Sequence, residues 1–135
     1  MKTTELRIGN KVLFKGNEKT INRIHKDVVS FEFYLEPTDN PNLPGDYIKV
    51  SIEKIEPILL TENWLSKCGF QKIIDENGRE FFSLIIKNGD LSKPAIEIYN
   101  NRTVIWNNTH VKHVESIHQL QNLYFALTGD ELVFK

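Results

Sequence analysis

The chain has 135 residues, 40% of them hydrophobic and 26% charged, with a formal net charge of −1. That is enough apolar material for a core and too little net charge for bulk electrostatics to imply a nucleic acid or a membrane as partner. The single cysteine, Cys68, excludes an internal disulfide framework and a cysteine-based zinc site.

Charge is unevenly spread along the chain. Residues 1–26 carry seven Lys/Arg against two acids (+5), residues 27–62 carry two against eight (−6), and the remainder balances at eight each. The split fits either a basic binding face or basic and acidic strands paired across one small sheet. The opening MKTTELRIGN has no apolar run that reads as a signal peptide, and no stretch approaches the roughly 20 apolar residues of a membrane helix. The expectation is a cytoplasmic protein with no membrane partner.

In chain order, Val12–Phe14, Gly16-Asn17 and Lys19–Ile24 read as a hairpin. Val28–Leu35 is the strongest strand signal of the first half, being rich in β-branched and aromatic residues. Glu36–Asp46, with Pro37, Pro41 and Pro44, reads as a loop, and Tyr47–Val50 resumes a strand. These short strands predict a small SH3-like, strongly bent antiparallel module over residues 1–58, in which the non-alternating Ile21 and Ile24 require a bulge.

Thr61 is placed to cap a short helix over Glu62–Cys68, stopped by Gly69. Phe70–Ile74, Glu80–Lys87, Ala95–Tyr99 and Thr103–Trp106 follow as strands, joined by turns at Asn77-Gly78, Asn88-Gly89 and Asn100-Asn101. Ser116 and Gln119 have the spacing of a capping box. The apolar residues Ile117, Leu120, Leu123, Tyr124 and Leu127 form one stripe of a longer helix that ends at Gly129, and Leu132–Phe134 reads as a closing strand. The fold class is therefore α+β: the N-terminal β module, then residues 59–135 as an antiparallel sheet packed with a short helix and a longer C-terminal one, the two together making one compact unit.

Few constellations carry chemistry. His110, His113 and His118 could approach one another only on a continuous helix, and Val111, Val114 and the cap at Ser116 distribute them over different elements instead. Cys68 at a helix C-terminus has the wrong dipole end for an activated thiolate. The chain contains no Walker loop, GxSxG or HExxH. No catalytic, cofactor or metal residue is assigned, and no enzyme is expected. Two candidate binding elements remain. Lys11, Lys15, Lys19 and Arg23 could meet phosphates or an acidic partner, helped by the aromatics Trp64, Trp106, Tyr34, Tyr47, Tyr99 and Tyr124 as stacking surfaces. The polar, proline-restricted loop with Asp39, Asn40, Asn42 and Asp46 could serve recognition or be only a connection.

Three segments, ELRIGN at Glu5–Asn10, PILLTENWLSKCGF at Pro57–Phe70 and HQLQNLYFALTGDEL at His118–Leu132, carry a resemblance. Their wording, order and spacing resemble a family of small uncharacterised proteins from Bacteroidetes, many encoded in phages, prophages and other mobile elements. The pattern would have Phe or another apolar residue at Cys68 and an aromatic near His113. The resemblance implies no catalytic residue. It implies a small protein of a mobile element that binds host machinery, a protein or ribonucleoprotein, as an anti-CRISPR-type inhibitor would; direct RNA or DNA binding by the basic hairpin is the alternative.

Overall fold

A computed structural model of the chain describes residues 6–26, 31–37, 47–86, 95–100 and 102–135. It divides into two compact units, Met1–Ile58 and Leu59–Lys135.

The first unit is an antiparallel sheet of β1 (Lys11–Phe14), β2 (Asn17–Lys26), β3 (Phe31–Pro37), β4 (Tyr47–Ser51) and β5 (Ile55–Glu56), in the order β4-β3-β2-β1-β5. A single 3₁₀ turn, Ile52–Lys54, returns the chain so that β5 pairs with β1 through Leu13↔Glu56 and Phe14↔Ile55. Strands β1–β4 run as a meander and the short fifth strand, β5, returns to the free edge of β1, giving the small antiparallel module expected of residues 1–58. The long strand β2 serves both halves of this sheet. Its pairing with β3 shifts between Ile21 and Arg23, the bulge that the spacing of Ile21 and Ile24 requires.

The β1–β2 turn sits one residue earlier than its sequence suggests. Lys15 (φ 52°) and Gly16 (φ 78°) form the two-residue loop, and Asn17 already pairs with Phe14. Positive φ at both central residues is the type I′ geometry, whose twist matches that of the flanking strands. Glu36 and Pro37 also differ from expectation: they extend β3, with Pro37 opposite Tyr47 after a register shift, because a strand's end tolerates a residue without an amide donor. Val28, Ser30 and the turn at Asn88-Gly89 lie outside the described residues.

Leu6, Val12, Ile21 and Ile55 make the core of this unit, with Phe14 and Ile52 packed against it. The segment before β1 is fixed by a buried polar residue. Asn10 Oδ1 accepts the Arg7 amide at 2.7 Å, the Asn10 amide donates to the Arg7 carbonyl, and the Asn10 carbonyl accepts from Ile21. Gly9 has φ 95°, open to glycine at little cost, and its amide reaches the Ile21 carbonyl at 2.7 Å. The wording Leu6-Arg7-Ile8-Gly9-Asn10 thus has a folding explanation.

In the second unit, α1 (Glu62–Lys67) is capped by Thr61, whose hydroxyl accepts the Trp64 amide, and ends at Gly69 with φ 92°. Then come β6 (Gln71–Ile74), β7 (Glu80–Ile85), β8 (Ala95–Tyr99), β9 (Thr103–Trp106), β10 (Thr109–Val111) and α2 (Ile117–Thr128). The strands form an antiparallel meander, β10-β9-β8-β7-β6. Asp75 organises the β6–β7 turn: its Oδ1 accepts the amides of Asn77 and Arg79, and its Oδ2 accepts Arg79 Nε at 3.1 Å. Asn107 and Asn108, at φ 50° and 62°, make a second type I′ loop between β9 and β10.

Three expectations about the C-terminal segment need correction. The buried face of α2 is Ile117, His118, Leu120 and Gln121, while Leu123, Tyr124 and Leu127 are only half-buried. Burial thus favours the first turns of the helix and admits two polar side chains. The capping box is also shifted. Ser116 Oγ lies 3.0 Å from His118 Nδ1 and donates to Gln119 Oε1, while Gln119 reaches back to the amide of Glu115 rather than to that of Ser116. Finally, Leu132–Phe134 is not a strand. Leu132 is buried, Phe134 meets Trp64 edge-on at 5.8 Å, and the Lys135 amide donates to the Lys67 carbonyl at the end of α1. The segment satisfies a helix C-terminal carbonyl instead of a sheet edge.

Candidate functional site

Strand register sorts the second sheet into two unlike faces, because residues directly opposite each other point the same way. One face carries Phe82, Leu84, Ile96, Ile98, Val104 and Trp106, and all but Leu84 and Trp106 among these are buried. The helix α1 lies over this face. Its Glu62 reaches Lys72 of β6 at 3.1 Å, and a side chain at Gly69 would meet Leu84.

The opposite, outer face is built from Ile73, Phe81, Ile85, Ala95, Tyr99 and Ile105, interrupted by Gln71, Ser83, Glu97, Thr103 and His110. Its apolar members are only partly covered: Ile73 is 39% and Ile85 52% exposed, and Phe81, Tyr99 and Ile105 are half-buried. Phe81 and Tyr99 face each other across β7 and β8 as a stacked pair with ring centres 4.9 Å apart. The Tyr99 hydroxyl donates to Glu97 Oε2 at 2.6 Å, and this bond, more than desolvation, raises the phenol's pKa. Arg79, paired with Asp75, lies over the Tyr99 ring at 5.8 Å.

Among the described residues, several groups of the kind used in covalent or acid–base chemistry are buried or tied to partners. Cys68 is buried, and desolvation pushes its thiol up to about 12, so it stays protonated and inert at neutral pH. Ser116 and His118 stand at hydroxyl–imidazole distance, but they are 3% and 1% exposed, closed to any substrate. Lys72 is held between Glu62 (3.1 Å) and Glu80 (3.2 Å), whose hydrogen bonds, Glu62 first, raise its pKa and keep its amine protonated. An open cleft of about 590 Å³ lined by Leu59, Leu60, Thr61, Asn100, Arg102 and Glu115 presents one cation and one carboxylate, and the Thr61 hydroxyl is engaged in capping α1.

The four basic residues of the first hairpin are not brought onto one face. Val12 is buried, and Lys19 opposite it shares its side of the sheet, whereas Lys11 points the other way with Thr20 and Glu18. Lys11 Nζ donates to Thr20 Oγ1 at 2.6 Å and lies 3.8 Å from Glu18 Oε1. Lys15 sits at the turn over the Phe14 ring, and the backbone of Arg23 follows the bulge, opposite Tyr34. Asp39, Asn40, Asn42 and Asp46 lie outside the described residues. His110 is on β10 and His113 follows it, both exposed, while His118 is inside α2. No group of metal-ligating side chains occurs among the described residues, and no described helix is long and apolar enough to cross a membrane.

The outer sheet face was missed by motif-based reasoning, yet it left a signal. In EFFSLI and AIEIY both alternating positions are apolar, where a strand with one solvated face would place polar residues at every second position. Compared with protein-family models, with curated proteins and with solved structures, the chain has no significant match.

Proposed function

We propose that this protein is a non-catalytic interaction protein that works by docking on another protein through the outer face of its C-terminal sheet. The observation that carries this reading is the stacked Phe81–Tyr99 pair flanked by exposed Ile73 and Ile85, on a face that leaves its apolar residues partly open. Aromatic anchors within a patch of aliphatic residues are the composition of interface centres. In the setting implied by the sequence resemblance, the partner is host machinery, a protein or ribonucleoprotein, and the outcome is inhibition of the anti-CRISPR type. Direct nucleic-acid binding by the hairpin has weaker support, since Lys11 and Lys19 project to opposite sides and Lys11 is already engaged.

The test is affinity capture from a host lysate with the wild-type chain, Ile85→Asp and Lys15→Glu side by side. A partner retained by wild type and Lys15→Glu and lost with Ile85→Asp supports the sheet face, provided tryptophan emission shows the variant folded. A partner lost only with Lys15→Glu transfers the site to the hairpin. Salt-sensitive binding of an unrelated oligonucleotide by the pure protein, abolished by Lys15→Glu, would establish the nucleic-acid alternative.

A further inference from the structure

Among the described strand residues of the outer face of the second sheet, Glu97 is a carboxylate in the midst of apolar neighbours, with the Asp75–Arg79 pair at the β6–β7 end, and Glu97 restricts what can cover the face. Glu97 lies on the central strand β8, opposite Ser83 of β7 and Ile105 of β9, with Tyr99 next on its own side of the strand. It is half-buried, and Oε2 is occupied by the Tyr99 hydroxyl. Being only half-buried, the Glu97 side chain keeps part of its surface in solvent.

A partner that covered this face with apolar groups alone would strip water from Glu97 and supply nothing in return. Leaving a desolvated charge unpaired is unfavourable enough to cancel one or two good interface anchors. A cationic side chain removes that penalty, and a guanidinium suits the surroundings best: its planar fork can pair with the carboxylate while its face lies on an aromatic ring. Phe81, stacked on Tyr99, provides that ring surface, while the Tyr99 ring already faces Arg79. The carboxylate therefore acts as a selector, rejecting purely apolar and acidic surfaces while admitting a basic one.

We infer that the outer sheet face takes a protein segment presenting an arginine or lysine between apolar side chains, the cation pairing with Glu97 and the apolar groups covering Ile73, Ile85 and Ile105. This inference rests on the docking reading above and names the chemistry of the partner.

The probe is a phage-displayed library of random dodecapeptides selected on the full-length protein, followed by affinity measurements with the best synthetic peptide. Enriched peptides should carry Arg or Lys flanked by apolar residues. Replacing that Arg by citrulline, or Lys by norleucine, and separately introducing Glu97→Gln, should each weaken binding by about tenfold or more. Glu97→Gln retains an acceptor for Tyr99 and nearly the same volume, so its effect reads the charge. Ile85→Asp should abolish binding. Peptides that are lost with Ile85→Asp but lack a basic residue, or are indifferent to Glu97→Gln, would overturn the cation inference and leave the docking face standing. Failure to enrich any peptide that responds to Ile85→Asp would overturn both.

Discussion

Asn10 is fully buried, yet its amide, carbonyl and side-chain oxygen all meet backbone groups, which ties the entry of the chain into β1 to Arg7 and Ile21. Removing the side chain leaves the Arg7 amide without its acceptor, a loss of about 1–3 kcal/mol by the cost of an unsatisfied buried donor. Asn10→Ala should accordingly lower hydrogen-exchange protection at Val12 and Ile21 by roughly ten- to a hundredfold where exchange follows opening of this unit. Unchanged protection would show that water replaces the side chain freely. Cys68 makes a different case, because its buried thiol has a pKa raised from 9.0 to about 12. A folded pKa above the unfolded one means that the native state holds its proton more tightly. The stabilising contribution is full below about pH 9 and declines as pH rises toward 12. Cys68→Ala should remove that alkaline component, so wild type loses stability relative to the variant between these limits. The native thiol should also resist iodoacetamide at pH 8 and react once unfolded; rapid native alkylation would contradict its burial.

Among the elements, α2 shows where burial departs from a helical stripe. Leu120 is fully buried and Leu127 only partly so, although both belong to the apolar series of the helix. Leu120→Ala should cost about 2–5 kcal/mol, and Leu127→Ala less than half as much. Urea unfolding followed by tryptophan emission reads this directly, since Trp64 and Trp106 both belong to the second unit. Equal losses would mean that the whole stripe is packed. Much of the architecture was legible from punctuation and periodicity: Thr61 and Gly69 bound α1, Gly129 at φ 77° ends α2, and the strands of the meander follow their β-branched and aromatic runs. What local pattern could not supply was tertiary. His118 and Gln121 are buried because their surroundings accept polar groups, and Leu132–Phe134 packs on α1 because the end of that helix offers a carbonyl. The outer sheet face was hidden for a related reason. Glu97 and Tyr99 share β8, but Phe81 lies on β7, and only register brings it opposite Tyr99.

At the scale of the molecule, the two units differ in what holds them together. Among the described residues, the first has a buried cluster of Leu6, Val12, Ile21 and Ile55, in a sheet whose β1–β2 and β4–β5 connections are single turns. The second has its own set, including Leu65, Phe82, Ile96, Ile98, Val104, Ile117 and Leu120, together with a five-strand meander made of local pairings. The short β6–β7 and β9–β10 turns repay their loop-closure cost early, so this unit is expected to fold by itself. A chain of that size carries only a few kcal/mol of net stability, roughly 3–5 without disulfides or metals. Expressed alone, residues 59–135 should therefore show a cooperative urea transition in tryptophan emission, with a midpoint at modest denaturant. The peptides selected on the full-length protein should bind this fragment with the same dependence on Glu97 and Ile85, because every residue invoked for docking lies within it. A fragment that folds but does not bind would place essential contacts in the first unit, and the sheet face would then be only part of the docking surface. A fragment with a broad, non-cooperative transition would show that the second core cannot sustain itself, and that its stability is inseparable from residues 1–58.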